Sequence, residues 1–567
     1  MSLNRRTLLR GLGAGAVVAG ASRVLAPSAA VAQRSRPQVF VIREDRFGRI
    51  FPNLRPFADT STRLLNALRE IGKPGGMLDA ADDLAAGPVA LIVDAALSAN
   101  NANNPTHTAG TTFMGQFLDH DLTFDLTSRL AVRAEPTQSP NERTPALDLD
   151  SVYGGGPLSD PELYVAVSRF SRERPTKLKI ERGPLFEDLP RRADRSAIIA
   201  DPRNDENLII AGLQAAFILF HNKAVDLVAR DRRLSSEDVF LRARQLTTWH
   251  YQWMVVHEFL PLFIGQALVN DILRNGRRAY RPSTAFIPVE FQGAAYRFGH
   301  SMVRPSYRAN LLGDVNAAGQ PAPFFGMIFD PAGEGQSDPV DLRGGARAHR
   351  RFIGWQTFFN FGDEPRPGGV GGTLGEDVRP NKLIDTRIST PLFNLPLATI
   401  ASGDPPTALP QRNLLRHVTW SLPSGQSIAR ELDVPALSSR DFPELRQFGL
   451  NLEDSTPLWY YVLREAQLAA SGLTLGPVGG RISARCSSGS CSSTAIRIFP
   501  SAAGDPRCRP AAAASSATSR WWISSRSPES IPRTAVSSTA AERSPADLPA
   551  SGAARREGRP GSVMLRA

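Results

Sequence analysis

The chain has 567 residues and a formal net charge of +11, longer than one average domain and basic enough to raise nucleic acid or an acidic surface as a partner. The charge sits at the ends: residues 1–40 carry +6 and residues 483–567 carry +7, leaving −2 for residues 41–482. No basic face remains for a folded body, which excludes nucleic acid, and Cys486, Cys491 and Cys508 all lie beyond residue 482, which excludes disulfides and thiol chemistry from that body.

At the start, Arg5-Arg6 precedes the apolar run "GLGAGAVVAGASRVLA", and Ala30-Val31-Ala32 offers small residues for cleavage. This pattern predicts a twin-arginine signal over residues 1–32, the twin-arginine export machinery as a partner, and a secreted or periplasmic product. The run is too short and too rich in Gly and Ala to span a bilayer, and no transmembrane segment is expected later.

Residues 40–482 predict one large, mainly α domain with long irregular loops and little β structure. "LIIAGLQAAFILFHNKAVDLVARD" and "VFLRARQLTTWHYQWMVVHEFLPLFIGQAL" carry helix-period apolar spacing and read as buried helices with one polar stripe. Pro- and Gly-rich connections such as "GDEPRPGGVGGTLGEDVRPNK" separate the helices. Beyond residue 482 Ser, Ala, Arg and Pro dominate and periodicity is lost, so residues 483–567 read as a disordered tail or as the product of a frameshift near residue 483.

"MGQFLDHDLTFD" sets a histidine between two aspartates amid apolar residues, where charge is costly unless paired or coordinated. On a helix, Gln116 and His120 share a face, Asp119 lies beside them, and Asp121 turns away, so one side could move protons while the other binds a cation. "TPALDLDSVYGG" spaces Thr144, Asp148 and Asp150 so that oxygen atoms can surround one hard cation, as calcium requires. "ADPRNDENLII" offers Arg203 and Glu206, "AAYRFGHSMVRP" offers His300, and "LPQRNLLRHVTW" offers Asn413 and Arg416. "HEFLP" at His257 lacks the second histidine of a zinc motif, and Pro261 stands where the helix should continue. His250 and His257 are expected to be packing residues; His107, His221, His349 and His417 have no partner identifiable from sequence.

In this order, over about residues 45–480, these stretches resemble the haem peroxidases of the animal peroxidase superfamily, which includes myeloperoxidase, lactoperoxidase and peroxidasin. The resemblance implies haem b, calcium, hydrogen peroxide and a small reducing donor. It implies His120 as distal histidine, Arg203 as distal arginine, His300 as proximal iron ligand, Asn413 as the proximal ring's partner, Arg416 as a further cofactor contact and Gln116 as the distal glutamine associated with halide. Asp119 and Glu206 match the carboxylates that esterify haem. Asp121, Thr144, the Ala146 carbonyl, Asp148 and Asp150 match the calcium shell, with Asp150 where mammalian members commonly have serine. Asn207 stands where myeloperoxidase has a haem-bonded methionine, which points away from chloride and toward bromide, iodide, thiocyanate or phenols. Rival readings are a fatty-acid oxygenase, whose radical tyrosine position is occupied here by Arg297 with Tyr296 one residue further away, and a non-catalytic adhesion protein.

Overall fold

The computed structural model describes residues 46–168, 173–183, 186–275, 285–345, 350–360, 378–400 and 402–491. The signal expected over 1–32, His349, and the tail from 492 onward lie outside the described residues. Helices dominate, as the spacing predicts. Those that matter here are α1 (Thr62–Ile71), α2 (Gly110–Leu122), α3 (Leu208–Val228), α4 (Ser236–Met254), α5 (Gln266–Asn275), α6 (Gly299–Met302), α7 (Leu409–Thr419), α8 (Leu458–Ala469) and α9 (Pro477–Cys491). Among the described residues each sheet has two strands. The longest pair is antiparallel, Ser306–Val315 against Pro321–Met327, with Ser306 opposite Met327 and Val315 opposite Pro321.

One large apolar cluster runs through the fold, and α3 is its central rod, packed against α2 and α4. By length and composition α3 is the one helix among the described residues that could cross a membrane, but most of it is buried inside the protein. Its stacking partner is α2, where Phe117 lies parallel to Phe217 with ring centroids 4.8 Å apart. The start of α2 approaches its neighbour closely: a Cβ on Gly110 would come 2.5 Å from the Phe359 ring, which would have to move aside.

The helix expected across "VFLRARQLTTWHYQWMVVHEFLPLFIGQAL" is interrupted differently from the reading at Pro261. The backbone widens into a π-turn over Val255–Phe259, continues as a helix over Leu260–Ile264, and breaks at Gly265, whose φ of 76° is left-handed. Proline lacks an N–H and its ring collides with the carbonyl four residues earlier, and the wider turn relieves both problems. His250 and His257 are corrected as well. Both are exposed, His250 bonding the Leu246 carbonyl at 2.8 Å and His257 lying against Trp253.

Residue 482, where composition changes, lies inside α9. Val478, Ile482 and Ala484 are buried there, and the Val478 and Gly479 amides donate to the buried Glu465 carboxylate of α8.

Candidate active site

A cavity of about 950 Å³ is lined by Gln116, Asp119 and His120 from α2, by Arg203 and Glu206, by Tyr296, Arg297 and His300, and by Arg412 and Arg416 from α7. The helical face expected of α2 is thus the one turned inward, because the rest of the helix is buried in apolar contacts.

His120 is buried, and its Nδ1 lies 2.9 Å from the Asn204 Oδ1. Burial, then the charge of Arg203, holds its pKa down to about 3, so the ring is neutral. Its Nε2 faces Glu206 Oε1 at 3.8 Å. Glu206 also accepts from the Gln116 amide, and burial pushes its carboxyl up to about 8; the Asp119 carboxyl is likewise raised by burial.

Arg203 comes from the short turn Pro202–Asp205, where the Asp201 side chain caps the turn by accepting from the Arg203 amide. Its guanidinium forks onto Asp201 at 3.0 and 2.7 Å, donates to the carbonyls of His120 (3.1 Å) and Thr123 (2.7 Å), and lies 4.1 Å from the Phe124 ring centroid. Arg143 donates to the same aspartate at 2.8 Å. Burial alone would raise Asp201, but Arg203 and Arg143 outweigh it and hold the carboxyl below its usual range. The result is a positive group locked at the cavity wall rather than a swinging one.

Across the cavity, His300 lies on the short helix α6. Its Nδ1 lies 2.9 Å from Asn413 Nδ2, and the Asn413 oxygen accepts from Arg297 Nη1 at 3.3 Å. Burial, then Arg297, lowers His300 to about 3. Arg416 donates to Asp125 at 2.9 Å and is paired there.

The face of α2 opposite the cavity carries Asp121. Oxygen atoms of Asp121, Asp148 and Asp150 lie within 4.8 Å of one another, with Thr144 Oγ1 donating to Asp148 at 2.8 Å and Ala146 in the same loop. Burial, then Asp148, pushes Asp121 up to about 7, and burial likewise raises Asp150 well above its ordinary value. The buried Asp150 Oδ1 has no hydrogen-bond partner.

Four contributors were not singled out from sequence. Arg297 and Arg412 line the cavity with no carboxylate at ion-pair distance among the described residues, and burial, then Arg416, lowers each to about 10. Asn204 is visible only through its contact with His120. Gln214 had a usable signal, being the lone polar residue in "LIIAGLQAAFILF". The histidines without sequence-visible partners are satisfied structurally: His107 by Thr111 at 2.8 Å, His221 by Tyr153 and the Thr176 carbonyl at 2.9 Å each, His417 by the Asn413 carbonyl and the Trp459 amide, also 2.9 Å each. Asn207 caps α3, accepting from the Ile209 and Ile210 amides at 3.1 and 3.0 Å.

Residues 127–340 match the family model described as animal haem peroxidase. The chain carries an animal haem peroxidase domain. The matched segment holds Thr144, Asp148, Asp150, Arg203, Glu206 and His300; the structure adds Gln116 to Asp121 from before it and Asn413 and Arg416 from after it. A human protein named Probable oxidoreductase PXDNL is 28% identical over 221 residues, 36% of this chain and 15% of that protein. The chain spans less than a third of the length of the curated relatives it matches. Among solved structures, Peroxidase A from Dictyostelium discoideum is similar at TM-score 0.51 and 16% identity, covering 82% of this chain and 89% of that one. A fatty acid alpha-dioxygenase from Arabidopsis thaliana is similar at TM-score 0.51 and 15% identity, covering 81% and 73%. Both share the fold of this peroxidase domain. The family implies haem, and the donor set fits it: two histidines on one cavity, volume within the roughly 300–1,000 Å³ of cofactor sites, and two guanidiniums, Arg297 and Arg412, to meet two propionates.

Proposed function

We propose that this chain is a haem peroxidase that reduces hydrogen peroxide while oxidising a halide, pseudohalide or small aromatic donor. The observation that carries the reading is the pair His120 and His300 on one cavity, each with its outer ring nitrogen held by an asparagine. Haem b, when bound, supplies the redox centre for peroxide reduction and donor oxidation. His300 would hold the iron, with Asn413 as ring partner, and Arg297 and Arg412 would meet the propionates. His120 takes a proton from one peroxide oxygen and returns it to the other. The fixed charge of Arg203 stabilises the negative charge that develops as the O–O bond opens. Gln116, held by Glu206, borders the space where a small anion would sit.

Asp119 and Glu206 are proposed to esterify haem; acid-acetone extraction after peroxide treatment tests this, and haem that extracts fully would refute it. Asp121, Asp148, Asp150, Thr144 Oγ1 and the Ala146 carbonyl form the proposed calcium shell, and the unpartnered Asp150 oxygen supports it. Residues 1–32 are proposed to direct twin-arginine export; fusing them to a reporter and finding Arg5→Lys/Arg6→Lys export unchanged would refute it.

The experiment for the main reading is haem reconstitution. A Soret band that His300→Ala abolishes is expected, and a band unchanged by that substitution would overturn it. The fatty-acid oxygenase alternative places weight on Tyr296, which lines the cavity but donates its hydroxyl to the Gly115 carbonyl at 3.2 Å. Oxygen uptake with a long-chain fatty acid, lost in Tyr296→Phe, would favour it.

A further inference from the structure

Asn204 does not line the cavity, yet it is one of the most constrained polar side chains beside it. It is fully buried, it belongs to the same turn as Arg203, and its two amide atoms face different partners. Nδ2 donates to Gln214 Oε1 at 2.9 Å, and Oδ1 lies 2.9 Å from His120 Nδ1. Gln214 is itself only 1% exposed, midway along the apolar helix α3.

We propose that Asn204 and Gln214 are a positioning pair that fixes the tautomer of His120, forcing its proton onto Nδ1 and leaving the Nε2 lone pair for the cavity. A neutral imidazole carries one proton and can carry it on either nitrogen; the hydrogen bond made by one nitrogen decides which. An amide oxygen accepts only, so Nδ1 must donate to it. The orientation of that amide is set in turn by Gln214, whose oxygen requires the Asn204 N–H. His120, Asn204 and Gln214 are all buried, away from bulk water that would offer substitute partners. A base that met the cavity with an N–H instead of a lone pair could not take a proton there.

The pair also ties two catalytic groups to one piece of backbone. The turn Pro202–Asp205 presents Arg203 to the cavity wall and Asn204 to the back of His120, so the charge and the base are held in register by adjacent residues. Anchoring to α3 places that register on a long, largely buried helix.

The inference rests on the peroxidase reading, and the test separates the two. Haem-reconstituted protein is mixed with cyanide, which binds as HCN and must give up its proton in the pocket, and separately with hydrogen peroxide, each by stopped flow. Asn204→Leu should slow both reactions by roughly tenfold to a hundredfold at unchanged haem occupancy. Asn204→Asp, which keeps an acceptor facing Nδ1 and lets Gln214 turn to donate, should recover most of the loss, and Gln214→Leu should fall between. A merely structural role would lower stability and haem occupancy in all three without this rate pattern. Wild-type rates in Asn204→Leu, or equal losses in Asn204→Leu and Asn204→Asp, overturn the inference. If Asn204→Leu does not fold, wild-type rates in Gln214→Leu overturn it. Wild-type rates in His120→Ala would sink the peroxidase reading and the inference together, whereas a slow His120→Ala with a fast Asn204→Leu sinks the inference alone.

Discussion

The two cavity histidines look alike at first contact and differ one bond further out. Each has Nδ1 at 2.9 Å from an asparagine, and burial brings each to about 3. Behind His120 the asparagine is held by a neutral amide, Gln214; behind His300 it is held by a cation, Arg297. A neutral chain fixes a proton position without adding charge, which suits a group that passes protons. A cation beside the ring disfavours a second proton on it and keeps it neutral.

The largest expected effect separates the two directly. His300→Ala should lose the Soret band, while His120→Ala should keep it and react with peroxide about a hundredfold more slowly or worse. Titrating haem into both variants and timing the reaction by stopped flow checks the contrast; equal haem loss in the two would erase it.

Next in size is removal of the cation proposed beside His120. A bound ion at a hundred times its dissociation constant stabilises the fold by about 2.7 kcal/mol. A calcium chelator should therefore lower the melting temperature by several degrees and slow cyanide binding, with the His300-dependent Soret band retained. Unchanged melting and rate after chelation would detach the carboxylate cluster from the His120 side.

A control lies away from both rings. Burial pushes Glu465 up to about 7 from an ordinary 4.5, despite the amides of Val478 and Gly479 that favour its charged form. The folded state then holds this proton more tightly than the unfolded one, so its contribution to stability is full below the unfolded value and is lost as pH rises through about 7. Glu465→Gln should flatten that part of the melting-temperature profile; a profile identical to wild type would show that Glu465 titrates normally.

The smallest effect sharpens the comparison at the proximal ring. Asn413→Asp would replace an amide by an anion there and should shift the haem reduction potential to more negative values, read by spectroelectrochemistry, with Arg297 offsetting part of the change. No shift would mean that the partner of His300 does not tune the ring.

Much of this arrangement was legible in the sequence because helical geometry is local. His120 inward and Asp121 outward follow from 100° per residue, and the structure places them so. The mainly helical fold with few strands was legible for the same reason. Arg297 and Arg412 were hidden because what distinguishes them is the lack of a carboxylate at ion-pair distance among the described residues, a property of neighbours brought in by folding. Asn204 was hidden because 84 residues of chain separate it from His120. The π-turn before Pro261 was missed because a proline signals a conflict with helix but not how the backbone will resolve it.

The adjacency of His120 and Asp121 also sets limits on how this gene can vary. A substitution at either position damages one site. Inserting or deleting one residue within α2 ahead of His120 would rotate both side chains by about 100°, turning the base out of the cavity and the cation ligand out of its cluster in a single event. Length changes in natural relatives and in mutant libraries should therefore be depleted between Gly110 and His120 and should accumulate in the connections, where neither register depends on residue count.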